Sequence, residues 1–481
     1  MMRAAVAVLF VAGALLPSAI AAGAAEAPAP AGAQARPNVL VIMTDDQTVE
    51  SVRVMTNVKR LLRDRGATFR SSFVTYALCC PSRATFLTGQ YAHNHGVLGN
   101  APPAGGYARL DHTNTLPVWL QDSGYYTAHL GKYLNGYGRT DPTEIPPGYD
   151  EWRGSVDPST YRFYDYTLNE NGRLTTYENA YQTDVYARKA ARIIRQRAPR
   201  ARPFFLWVAF LAPHSGGPRE PNDPAGMATP VPAPRHRHAC DSEPLPRPPG
   251  FNEPDVSDKP VGIRDRPLLG PRRIRQIRES YRQRLESLLA VDEAVARLVT
   301  ALRRTGELDD TLIIFTSDNG FFHGEHRVPA GKVLPYEPSI RVPLIIRGPG
   351  IPSGLRVSQR VANIDLAPTI VDAAGASPGR VMDGRSLLPV IAEPSVALGR
   401  DLLIERGPGV GTFTALRAPN HFYAEYGNGE QELYDLVRDP YQLRSRHADP
   451  AYAAIREDLA ERLAHLRACS GLACRTRPRL P

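Results

Sequence analysis

Apolar runs punctuate the chain and alternate with stretches of helical period. Residues 38–43 are almost wholly hydrophobic and end in the polar Thr44-Asp45-Asp46, the pattern of a strand covered on both faces. Similar runs at 126–130, 204–210, 312–316 and 343–347 predict further buried strands. Between them, 54–62, 181–197 and the long amphipathic 272–304, which stops near Gly306, predict helices. Strands and helices in alternation imply an α/β fold, a large mixed, mostly parallel sheet sandwiched by helices.

Two segments depart from that rhythm. Residues 216–271 are dense in proline and nearly without period, which predicts a long surface loop of the kind that forms lids and substrate walls. From about Leu402 the pattern changes to short strands at 412–417, 421–426 and 433–436, with Gly427-Asn428-Gly429 as a turn and a closing helix over 452–466. The division expected is a catalytic domain over 37–400 and a small C-terminal antiparallel sheet with one helix over 401–481.

The N-terminus reads as an export signal over residues 1–24. Arg3 precedes an apolar run from Ala4 to Leu16, Pro17-Ser18 breaks it, and small residues offer cleavage after Ala21 or Ala24. The run is short for a membrane span, so a secreted or extracytoplasmic protein without stable membrane insertion is expected. An Ala/Pro-rich spacer occupies 25–36.

A net charge of +9 suggests a polyanionic partner. The chain has only five lysines (Lys59, Lys132, Lys189, Lys259 and Lys332), its other basic residues being arginines spread along its length without interleaved aromatics, so no nucleic-acid partner is expected. Where such a chain keeps a lysine, a compact ammonium is favoured over a planar fork. Of five cysteines, Cys469 and Cys474 suit a local disulfide in an oxidising compartment, which leaves Cys79, Cys80 and Cys240.

Residues 78–89, Leu-Cys-Cys-Pro-Ser-Arg-Ala-Thr-Phe-Leu-Thr-Gly, place Pro81 at the first turn of a short helix and Gly89 at its end, so residue 79 is expected at a helix N-terminus, where free N–H groups favour an anion. The segment resembles the signature of the sulfatase family, Cys-x-Pro-Ser-Arg followed by Leu-Thr-Gly. Arg83 lies four residues after Cys79 and three after Cys80, so the register selects Cys79. The resemblance implies an alkaline-phosphatase-like fold and a nucleophile made from Cys79, which a formylglycine-generating enzyme converts to formylglycine.

Asp45-Asp46 and Asp318-Asn319 end two predicted strands, and in a doubly wound sheet such ends share the ligand-binding side. Taken singly, Asp46 reads equally as a helix cap and Asp318-Asn319-Gly320 as a turn. Together they form a hard oxygen set, and the resemblance implies one Ca2+ held by Asp45, Asp46, Asp318, Asn319 and the modified residue 79. Without a cation the cluster is expected to be an uncompensated knot of negative charge. Lys132 and Lys332 match the family's two sulfate-binding lysines and His214 its histidine beside the leaving oxygen, and the resemblance implies that Arg83 joins the lysines in neutralising charge on the transferring sulfuryl group. One departure stands out: many sulfatases carry a histidine where this chain has Leu134. Gly-Lys-Tyr-Leu-Asn, with Tyr91-Ala-His93-Asn94-His95, is instead similar to the N-acetylglucosamine-6-sulfatase branch. Asn135, His93 and His95 are candidates for contacts near the nucleophile, the two histidines reading equally as packing residues, and His323 and His326 are candidates for lining the pocket. The implied activity is hydrolysis of sulfate esters, with a sulfated carbohydrate such as 6-O-sulfated N-acetylglucosamine as substrate. The rivals are a phosphonate or phosphate-diester hydrolase of the same superfamily and a non-catalytic binder of sulfated glycans.

Overall fold

The computed structural model describes residues 1–2, 36–198, 202–396, 398–409 and 411–476. The export signal and spacer lie almost wholly outside the described residues.

Among the described residues fourteen strands form two sheets. The large sheet contains β1 (Asn38–Thr44), β2 (Ala67–Phe73), β3 (Tyr126–Gly131), β4 (Glu151–Ser155), β5 (Tyr166–Glu170), β6 (Arg173–Tyr177), β7 (Phe204–Ala209), β8 (Thr311–Ser317), β9 (Leu344–Arg347) and β10 (Leu355–Ala362). Their order is β10-β2-β9-β8-β1-β7-β3-β4-β5-β6. The centre, β8-β1-β7-β3-β4, is parallel, while β9 and the outer β5 and β6 pair antiparallel. The mixed, mostly parallel sheet expected from the sequence is therefore present.

Side-chain alternation along β1 shows why its apolar run has no gaps. Leu40 and Ile42 enter one core cluster, with Leu288, Val291, Val295 and Leu298 of helix Pro271–Arg304. Val39, Val41 and Met43 enter another on the opposite face, with Phe86 and Leu87 of helix Cys79–Thr88. A strand covered on both sides has no polar face to offer.

The proline-rich stretch differs from the expected surface loop. It forms only a 3-10 turn at Pro234–His236 and a short helix at Val261–Arg264, yet Val231, Ala233, Cys240, Val256 and Ile263 are buried. Met227, Cys240 and Leu245 pack on Ile277, Tyr281 and Leu285 of helix Pro271–Arg304. Proline lacks a backbone donor, so a proline-rich chain can be buried with fewer hydrogen bonds left to satisfy.

The second sheet is antiparallel, β11 (Leu402–Arg406), β12 (Phe413–Arg417), β13 (His421–Tyr426) and β14 (Gln431–Asp435), with helix Ala453–Ala468 packed on it and the Cys469–Cys474 disulfide after it. It shares a core with Phe322, Tyr336 and Ile340, from the stretch after β8. There Glu432, fully buried, accepts the hydroxyls of Tyr336 (2.8 Å), Tyr426 and Tyr434.

Candidate active site

Parallel register brings four strand ends together. β1 and β8 align from Asn38 opposite Thr311 to Thr44 opposite Ser317, so Asp45-Asp46 and Asp318-Asn319 emerge side by side. β7 continues beside β1 to His214, and β3 beside β7 to Lys132, whose N–H donates to the Ala209 carbonyl at 3.0 Å. Asp46 turns in the left-handed region at φ 66°, with its N–H on Asp318 Oδ1 (3.1 Å). A non-glycine residue held there costs energy that the surroundings must offset.

Helix Cys79–Thr88 starts at this end of the sheet and is buried along its whole length. Leu78 is extended before it and Gly89, at φ 65°, ends it, as Pro81 and Gly89 predict. Cys79 Sγ lies 2.8 Å from Lys332 Nζ and 3.5 Å from Asp45 Oδ1. Burial, reinforced by Asp45, pushes its thiol up to about 12 against the pull of Lys132 and Lys332. An unmodified Cys79 is thus a neutral thiol near pH 7, and a poor nucleophile. Cys80 turns away into the core on the Phe86 side, and its N–H donates to Asn100 Oδ1 at 3.0 Å. Cys79, Cys80 and Cys240 are all free and buried.

The cations divide into two kinds. Arg83 has no exposed surface and uses its donors on Asp318 (2.8 Å), Asp45 (3.0 Å) and the Lys132 carbonyl (2.6 Å), so it fixes the carboxylates and faces no open space. Lys132 Nζ approaches Asp45 Oδ2 at 2.5 Å outside hydrogen-bonding angles and sits 4.9 Å from the centre of the Tyr161 ring. Lys332 pairs with Asp46 and leans on Cys79. Although burial opposes ionisation of Asp45, Lys132, His214, Arg83 and Lys332 together hold its carboxyl below the ordinary carboxylate range.

His214 Nδ1 faces the Ser215 carbonyl at 2.6 Å, which assigns the proton of the neutral ring to Nδ1 and leaves Nε2 toward Asp46 Oδ2 at 3.7 Å. Burial lowers its pKa to about 4, outweighing the attraction of Asp46 and Asp45.

The donor set fits a hard divalent cation. Ligand atoms of Asp45, Asp46, Cys79 and His214 all lie within 4.8 Å of one another. Asn319 Oδ1 is buried without a hydrogen-bond partner while its Nδ2 donates to Asp46 (2.6 Å), which leaves an oxygen free to ligate. Asp318 stands behind this group, its oxygens taken by Arg83 and the Asp46 N–H. The knot of uncompensated charge expected from the sequence is absent among the described residues, because each of the three carboxylates has a cationic partner.

Other expectations resolve by contact. His93 bridges Glu405 (3.0 Å) and the Cys469 carbonyl (3.0 Å), tying helix Ala92–His95 to the C-terminal sheet. His95 accepts the Val97 N–H and meets the Thr85 hydroxyl at 3.1 Å. Both are structural. Asn135 does approach the site, donating to Tyr161 at 2.6 Å. His323 and His326 line a neighbouring cleft of about 520 Å3, with Phe321, Arg247 and Tyr441.

Sequence reasoning missed Arg284 and Tyr161. Arg284, on helix Pro271–Arg304, donates to the Asp46 carbonyl at 2.6 Å and lies 3.8 Å from the Phe321 ring centre. Burial lowers its pKa to about 10. Only its place on the apolar stripe of that helix distinguishes it from the exposed arginines around it. Tyr161, 5.3 Å from His214 between ring centres, lies in a connection without period and gave no signal.

A sulfatase family profile matches residues 37–376. The chain is 38% identical, over 74% of its length, to a Sulf-1 homolog of Caenorhabditis elegans, and spans only about half (49%) of that relative. It is 33% identical to the N-acetylglucosamine-6-sulfatase of Homo sapiens, over 92% of this chain and 86% of that one. Among solved structures, one of a protein in complex with its substrate D-glucosamine-2-N,6-O-disulfate superposes with a TM-score of 0.75 at 26% identity, covering 90% of this chain and 97% of that one. With this agreement over most of its length, around a signature cysteine at the meeting of four strand ends, the chain belongs to the sulfatase family.

Proposed function

We propose that this protein is an exported sulfuric ester hydrolase that releases sulfate from 6-O-sulfated N-acetylglucosamine residues, with a formylglycine derived from Cys79 as nucleophile. The observation that carries the reading is the setting of Cys79: a helix N-terminus, an ammonium 2.8 Å away and a carboxylate 3.5 Å away. As a thiol it is neutral there. As a hydrated aldehyde, residue 79 offers two hydroxyls on one carbon, one to attack sulfur and one whose deprotonation expels sulfate and restores the aldehyde.

Asp45, Asp46, Asn319 and residue 79 would hold a calcium ion, with Asp318 closing the set from behind, and the ion would supply positive charge against the sulfate oxygens. The chain's own residues do the rest. Lys132 and Lys332 neutralise charge that grows on the transferring sulfuryl group, and Arg83 holds Asp45 and Asp318 in place for the reaction. His214 sits beside the leaving oxygen, and its Nδ1 bond to Ser215 keeps Nε2 aimed into the site. Burial keeps the ring neutral without substrate, so Nε2 must first take up a proton, a form the anionic sulfate ester favours, before it passes that proton to the leaving oxygen. Preference for the amino sugar rests on the N-acetylglucosamine-6-sulfatase relative and on the substrate of the similar solved structure.

The test is a turnover panel of 6-sulfated N-acetylglucosamine, an aryl sulfate, choline sulfate and an aryl phosphate diester. The sulfated amino sugar is expected to give the highest kcat/KM. Fastest turnover of the phosphate diester would reassign the site to the phosphonate and phosphate-diester branch. Glycan binding with no release of sulfate would leave only a binder.

A further inference from the structure

The opposite end of the sheet carries a band of arginine. Because β1 and β8 run parallel from Asn38 and Thr311, their starts lie roughly 20 Å from the site, a seven-residue strand at about 3.3 Å per residue. Beside those starts Arg60, Arg65, Arg303 and Arg347 line a cleft of about 550 Å3. Across the turn into β2, Arg63, Arg70 and Arg356 line a second cleft of about 390 Å3. Both sizes fall within the roughly 300–1,000 Å3 typical of ligand clefts.

The charge there is poorly balanced. Arg347 pairs with Asp309 at 3.7 Å and Arg63 with Asp64 at 2.9 Å, both carboxylates being exposed. Among the described residues Arg60, Arg65, Arg70, Arg303 and Arg356 have no carboxylate at ion-pairing distance. They come from separate elements: Arg60 from helix Thr56–Leu61, Arg303 from the end of helix Pro271–Arg304, Arg70 from β2 and Arg356 from β10. Burial lowers the basicity of Arg347, and the fields of Arg303 and Arg65 lower it further against Asp309. Like charges converging from several elements cost stability unless an anion sits among them.

The chemistry of the lining narrows the anion. Guanidinium forks match tetrahedral oxyanions in pairs of parallel hydrogen bonds. Among the described residues no aromatic side chain lines either cleft, so bases would find no stacking platform. The apolar side chains there, Leu61 and Leu308, are buried and give a bilayer nothing to insert. Two clefts flanking one turn suit a linear chain with repeated anionic groups better than a single ion.

We propose that this arginine band is a second binding site, for a sulfated polysaccharide chain, which tethers the polymer while another part of it is hydrolysed. The choice of sulfate over other polyanions rests on the hydrolase reading above. Tethering raises the local concentration of scissile groups without touching the chemical step.

The probe is heparin, titrated against the full chain and against the triple variant Arg60→Ser, Arg65→Ser, Arg303→Ser at two salt concentrations. Arg347 is left intact because it also donates to the Leu61 carbonyl. The variant is expected to bind heparin at least about tenfold more weakly with a shallower salt slope. Its turnover of monosaccharide 6-sulfate should match the parent's, and KM for a long sulfated chain should rise several-fold at unchanged kcat. A control removes three exposed arginines elsewhere, Arg173→Ser, Arg192→Ser and Arg195→Ser. Equal loss in the control, undiminished heparin affinity in the triple variant, or duplex DNA bound as tightly as heparin and lost in parallel would each overturn the proposal. A chain that hydrolyses no sulfate ester defeats the hydrolase reading instead, and the heparin titration still decides this one.

Discussion

Cys79 and Cys80 share a helical turn, near-complete burial and a thiol pushed up to about 12 chiefly by desolvation, yet their neighbours differ. Cys79 faces Lys332 and Asp45. Cys80 lies in the apolar cluster that also holds Val41, Phe86 and Trp207, its thiol toward the Asn135 and Gly106 backbone. Cys79→Ala is therefore expected to abolish turnover with the fold intact, and Cys80→Ala to keep turnover at a cost of about 1 kcal/mol of stability. Cys79→Ser is expected to be inactive where the maturing enzyme accepts only cysteine, since one hydroxyl cannot both attack sulfur and expel sulfate. Turnover of the three variants, with the mass of the tryptic peptide holding both residues, checks this. An aldehyde on residue 80, or multiple turnover by Cys79→Ala, would contradict the assignment.

At the level of elements, β3 illustrates how packing sets pH behaviour. His129 is fully buried there, 4.7 Å from Trp152 and 4.5 Å from Trp207 between ring centres, with Nε2 on the Gly131 carbonyl and no partner for Nδ1. Burial lowers its pKa from 6.5 to about 3. Between those values the unfolded chain binds a proton that the folded chain refuses, so stability falls as pH falls, by up to about 1.4 kcal/mol per pH unit from this group. His129→Phe should therefore lose less stability than the parent between pH 7 and pH 5, by about 2 kcal/mol in urea unfolding. Equal losses in both proteins would remove His129 as the cause. The elements the sequence revealed are those whose burial is uniform: β1, β7 and β8 are buried throughout around apolar centres, and helix Pro271–Arg304 carries a continuous stripe. β2, Ala-Thr-Phe-Arg-Ser-Ser-Phe, and β5 and β6 are polar at alternate or most positions and looked like connections. In the site, the linear signature around Cys79 and the strand-end carboxylates were legible. Tyr161 reaches it through tertiary packing that leaves no local mark, and Arg284 is marked only by its place on the apolar stripe of its helix.

Across the whole molecule the decisive balance is the charge at the strand ends. Asp45 is paired with Arg83 and Lys132, Asp318 with Arg83, and Asp46 with Lys332, while Arg284 donates to the Asp46 carbonyl. Folding therefore does not need a divalent ion to hold these carboxylates together, whereas catalysis on the proposed mechanism does. Exhaustive chelation is expected to abolish turnover while the chain stays folded, with activity restored by Ca2+. An ion at about 100 times its Kd stabilises by about 2.7 kcal/mol, which for a chain of this size is a rise in Tm of a few degrees, roughly 2–4 °C or less per kcal/mol. Lys332→Ala removes the partner of Asp46 and should make the apo protein more dependent on the ion, widening the gap in Tm between chelated and calcium-loaded samples. Full turnover after verified metal loss would eliminate the ion from the mechanism. A parent chain that unfolds at 25 °C on chelation would show instead that these cations do not balance the site.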